Sequence, residues 1–154
     1  MNCKPYFDFD EIDHYFLNIS QEALGDIERR KTKTYLEEKQ INWLRQYEPD
    51  SLPDITISSE LAFTGYVKKE VLATDFPKIK DIFCERLHEP GPASGCIPEF
   101  RDVLLFKKER RLVGFAKICF TCHKHSITGT HLDTSQFGQS GDYEKLFNIL
   151  HRSL

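Results

Sequence analysis

Two apolar runs, Val103-Leu104-Leu105-Phe106 and Leu112-Val113-Gly114-Phe115-Ala116-Lys117-Ile118-Cys119-Phe120, are separated only by the charged stretch Lys107-Lys108-Glu109-Arg110-Arg111. A charged linker between two such runs keeps a turn in water, so the pattern predicts a β-hairpin. Apolar residues stand at successive rather than alternate positions, and a strand of that kind needs cover on both faces. The two strands, at about 102–107 and 112–120, are therefore expected at the centre of an antiparallel sheet.

The rest of the chain supplies the cover. Ser20 before Gln21-Glu22-Ala23 has the form of a helix start, a hydroxyl able to accept from free backbone N–H groups. Helical composition runs on to about Tyr47, but Arg29-Arg30-Lys31-Thr32-Lys33 interrupts the apolar stripe, which predicts two helices or one bent helix. Pro49 and Pro53 close that region. Ile55-Thr56-Ile57-Ser58 alternates with the period of a strand, and Gly65-Tyr66-Val67 turns into a short edge strand. Thr74 or Asp75 begins a third helix, whose buried stripe is Phe76, Ile79, Ile82, Phe83 and Leu87. After the Glu89–Gly95 loop and the central hairpin, a polar stretch from Lys124 to Gly141 leads to an amphipathic helix carrying Tyr143, Leu146, Phe147 and Leu150. With 154 residues the chain fits one core. The expected fold is a single α+β domain over 1–154, its sheet packed against N-terminal and C-terminal helices.

The second strand runs into Cys119-Phe120-Thr121-Cys122-His123, the string that attaches c-type haem and that also begins zinc sites and redox pairs. Haem fits poorly, because Cys119 continues a buried strand and Met1 is the only methionine. A redox pair expects its first thiol at a helix N-terminus, where the dipole lowers its pKa, and Cys119 follows a strand instead. Zinc is the better metal reading: Cys84 and His88 stand four apart on the third helix, Cys119 and Cys122 supply a second pair, and Cys96 is spare. Residues three apart on a strand point to opposite faces, so Cys119 and Cys122 converge only where the strand ends. Buried thiols are the simpler state. On that footing Cys119 is a packed core residue, and Cys122 and His123 hold whatever chemical role the motif has.

The formal charge of -3 gives no broad attraction to phosphate backbones, which disfavours nucleic acid as a partner. No segment approaches the ~18 apolar residues of a membrane span, and no P-loop, nucleophile elbow or His-Glu-x-x-His is present. The first residues lack the basic and apolar regions of a secretory signal, so a cytoplasmic location is expected. The cysteines, five in number, then read as free thiols rather than as a disulfide framework.

The segments Phe100-Arg101-Asp102-Val103-Leu104-Leu105-Phe106, Leu112 to Cys122 and Phe137-Gly138-Gln139-Ser140-Gly141-Asp142-Tyr143 resemble small bacterial proteins of the immunity type, which accompany polymorphic toxins and secreted effectors. The resemblance is one of general character and covers roughly the C-terminal third. It implies a non-catalytic cytosolic protein that binds and neutralises one cognate toxin or effector, with no cofactor. The acidic residues Asp8, Asp10, Glu11 and Asp13, and the loop histidines His123, His125 and His131, are the expected partner contacts, since binding residues favour loops on a rigid sheet. The alternative is a small zinc- or thiol-dependent enzyme, or a zinc-stabilised interaction module, built on Cys84, His88, Cys119 and Cys122.

Overall fold

A computed structural model describes residues 3–52, 56–87 and 95–152. Its strands are β1 (Glu11–Phe16), β2 (Val67–Lys69), β3 (Asp102–Lys108), β4 (Arg111–Cys119) and β5 (Lys124–Thr128). They form one antiparallel sheet in the order β2-β1-β3-β4-β5, with the expected hairpin, β3 and β4, at its middle. The helices are α1 (Gln21–Arg29), α2 (Tyr35–Arg45), α3 (Ile57–Phe63), α4 (Phe76–Ile82) and α5 (Asp142–Leu150). The chain is an α+β domain, and no described helix is long and apolar enough to cross a membrane.

The apolar runs are continuous because the sheet is sandwiched. Leu104, Phe106, Ala116 and Ile118 point to one face and pack with Ile79 and Ile82 of α4 and Leu146 and Leu150 of α5. Val103, Leu105 and Phe115 point to the other, against Leu24 of α1, Trp43 and Leu44 of α2, and Leu61 of α3. Burying one such side chain contributes roughly 1.5–3 kcal/mol relative to leaving it in water.

Local chemistry sets the boundaries. The Ser20 hydroxyl accepts from Ala23 N at 3.0 Å. Thr34 and Glu37 form a reciprocal capping box at the start of α2, so the helical region divides in two as its composition predicts. The β3–β4 turn places Glu109 and Arg110 at φ 49° and 67°, the two-residue hairpin geometry that ordinarily selects Asn-Gly. Asp10 compensates by accepting from Glu109 N at 3.1 Å. Gly114 is required by packing: a Cβ there would stand 2.0 Å from the Phe7 ring.

Three elements differ from expectation. Ile57 and Ser58 open α3 rather than a strand, while Ile55 lies outside the described residues. The helix expected to reach Leu87 ends at Ile82, and Leu87 is 89% exposed. Of the acidic segment, Asp8 and Asp10 precede strand β1, while Glu11 and Asp13 lie in it. Asp13 is buried there, its charge met by Lys107 at 2.6 Å and Lys68 at 3.4 Å, so it is no surface contact for a partner.

Candidate functional site

Cys119-Phe120-Thr121-Cys122-His123 is the hairpin turn between β4 and β5. Cys119 closes β4 opposite Lys124, and His123 reverses the chain at φ 53°. Cys122 forms a disulfide with Cys96, and Cys84 forms one with Cys3. The expectation of free thiols throughout is thereby corrected. So is the proposed zinc set: Cys84 stands beyond the end of α4, not on it, and its sulfur and that of Cys122 are committed to other cysteines. Cys119 alone is free and is buried, with Glu99 N donating to its sulfur at 3.3 Å. His88 lies outside the described residues. These pairings were not legible beforehand, because disulfide connectivity does not follow from cysteine spacing.

The expected partner contacts do not gather into one surface. Asp8 and Asp10 are exposed and, with Glu11, flank the β3–β4 turn, where Lys108 pairs with Asp8 at 3.5 Å. His123 is at the opposite end of β4, about 25 Å away at the rise of a strand. His125 is partly buried, its Nε2 facing the Thr134 carbonyl at 2.8 Å and its Nδ1 the Tyr143 hydroxyl at 3.0 Å. Burial holds its pKa below the usual histidine range against the pull of the Thr134 carbonyl. His131 is exposed beyond β5.

His123 has the more informative surroundings. Its ring stacks on Tyr143, centroids 4.7 Å apart and planes 5° from parallel. Phe120, from the same turn, meets Phe147 of α5 at 5.3 Å. These four rings, with Thr121, Glu144 and Asn148, line a notch of about 360 Å³. Phe147 is 45% exposed there, an apolar ring offered to solvent.

Behind the notch the rings continue inward to a polar centre. Phe147 and Phe120 pack against His151, which caps the C-terminus of α5. His151 Nε2 is 2.5 Å from Asp102 Oδ2, and His14 Nε2 approaches the same oxygen at 2.7 Å. His14 of β1 and Asp102 of β3 share the sheet face of α4 and α5 because their register differs by two residues. His14 and Asp102 are almost wholly buried, and His14 Nδ1 has no hydrogen-bond partner. Nothing local in the sequence marks this centre: its members are 88 and 49 residues apart.

On the other face Lys117 is fully buried. Its ammonium donates to the carbonyls of Gln46 at 2.6 Å, Glu48 at 3.0 Å and Asn42 at 3.5 Å, and lies about 5 Å from the ring centres of Trp43 and Phe100. Burial pushes it down to about 7. These contacts close the C-terminus of α2, where carbonyls lack helical partners.

Compared with known proteins, the chain matches no family model, and neither a curated protein nor a solved structure is significantly similar to it.

Proposed function

We propose that this chain is a non-catalytic binding protein of the immunity type, which neutralises a cognate toxin or effector protein by taking it on the notch of Phe120, His123, Tyr143 and Phe147. The exposed aromatic notch is the observation that carries this reading. Interface energy concentrates in a few aromatic anchors that sit in packed, rigid surroundings. Here the Cys96–Cys122 disulfide holds the turn, and α5 packs on the sheet behind it. The thiol-dependent form of the enzyme alternative needs a reactive thiol, whereas Cys84 and Cys122 are oxidised and Cys119 is packed. Disulfides persist under oxidising conditions, so complex formation is measured on protein whose Cys3–Cys84 and Cys96–Cys122 bonds are intact.

Co-expression with the product of the neighbouring gene tests the reading. The expected results are rescue of growth and a heteromeric complex on size-exclusion chromatography. Truncation of an interface anchor, Phe147→Ala, is expected to weaken that complex by about 30-fold, the effect of a hot spot of ~2 kcal/mol. The absence of both rescue and a complex would overturn it.

A further inference from the structure

We propose that His14, Asp102 and His151 bind one divalent ion of the zinc class. Two imidazoles and a carboxylate are ligands suited to Zn²⁺ and its first-row neighbours. One donor atom from each lies within 4.8 Å of the other two. The donors come from β1, β3 and the end of α5, so the folded chain, not a local motif, assembles them.

In the absence of an ion the arrangement is costly for an apolar core. Both imidazoles bring Nε2 to the single oxygen Asp102 Oδ2, His14 at 2.7 Å and His151 at 2.5 Å. His14 Nδ1 is left buried and unpartnered. An ion among the three donors replaces both hydrogen bonds by coordination. On His14 the Nε2 then serves as the ligand and the ring hydrogen sits on Nδ1, which still lacks an acceptor.

The movement required is small. Bonds of 2.0–2.1 Å around a tetrahedral ion separate neighbouring donors by about 3.3 Å. Asp102 Oδ2 therefore has to draw back about 0.8 Å from His151 Nε2, now 2.5 Å away, and about 0.6 Å from His14 Nε2, now 2.7 Å away. His151 is the accessible ligand, and it also lines a cavity of about 460 Å³ with Glu70, Asp75, Lys69 and Arg152. Asp75 in that wall is paired with Arg152 at 3.3 Å. The cavity brings solvent to His151, and three protein ligands leave a fourth position for water or an anionic group. The proposal is independent of the partner-binding reading.

The test uses the untagged full chain with its disulfides intact, stripped by a chelator. It is titrated with Zn²⁺ by calorimetry and with Co²⁺ by visible absorption. One ion per chain and a raised melting temperature are expected, because a ligand that binds only the native state stabilises it. His151→Ala and the near-isosteric Asp102→Asn, each confirmed folded by circular dichroism, should weaken binding by at least about tenfold. His131→Gln should leave it unchanged. A folded wild-type chain that takes up no stoichiometric ion overturns the proposal, whatever the variants do. So does binding that is equally strong in a folded His151→Ala or Asp102→Asn protein.

Discussion

The two faces of the sheet each bury charge, and they handle it differently. On the face of α4 and α5, the Asp102 carboxylate meets two imidazoles brought from distant parts of the chain. On the face of α1, α2 and α3, the Lys117 ammonium meets carbonyl dipoles and ring faces, with no carboxylate in contact among the described residues. Two rings hold the carboxylate by direct hydrogen bonds; carbonyl dipoles answer the ammonium in part, and burial lowers its pKa. The first arrangement ties three elements together, whereas the second finishes one helix.

The comparison is broken most directly at Asp102. Asp102→Ala removes the carboxylate from both histidines and is expected to cost about 3–5 kcal/mol, the loss typical when one partner of a buried pair is removed. Urea unfolding measures it, and a cost near that of a surface change would show that the histidines do not depend on it. Lys117→Ala should cost about 2–4 kcal/mol, through the lost stem and three carbonyls left without their donor. Lys117→Met keeps the stem and relieves the buried charge, so its cost should be clearly smaller. Equal costs for the two variants would mean that the ammonium, not the packing, holds the site.

A pH series separates the faces further. Lys117 has its pKa lowered from 10.5 to about 7 in the folded protein, so between those values the unfolded chain holds more protons than the native one. Stability then rises with pH across that window and is flat in this respect below it, where both states are protonated. Wild-type protein should show that rise in chemical denaturation, and Lys117→Met should lack it. The smallest effect is expected at the far end of α2, where Thr34→Ala removes the capping box and should lower the melting temperature by an amount equivalent to about 1 kcal/mol.

How much of this was readable in the sequence depends on how each residue is satisfied. β3 and β4 were legible because both faces are apolar and a charged turn separates them. β1 was not. Glu11 and Asp13 read as exposed partner contacts, although Ile12, His14 and Phe16 alternate with Asp13 and Tyr15 in the period of a strand. Its buried polar residues find partners only in β2, β3 and the end of α5, and a linear reading cannot see those contacts. Ile57 and Ser58 were misread for the opposite reason: a short apolar alternation fits either element, and packing against α2 and the sheet decided for helix. At the candidate site, His123 was found from its motif. Its neighbours Phe147 and Tyr143 read only as the buried stripe of a helix, though Phe147 faces outward.

The pairing of β1 with β3 has a consequence for biosynthesis. Glu11 lies opposite Lys107 and Phe16 opposite Asp102, so the ribosome makes β1 and then β2 and four helices before the strand that joins them to β4 exists. Until then the apolar sides of α1, α2 and α4 have no sheet to cover, and long-range pairings of this kind form slowly because a long loop must close first. A nascent chain paused before residue 102 would display aggregation-prone surface. Protection of that interval by a chaperone, or rapid elongation through it, becomes a condition for a good yield of the native protein.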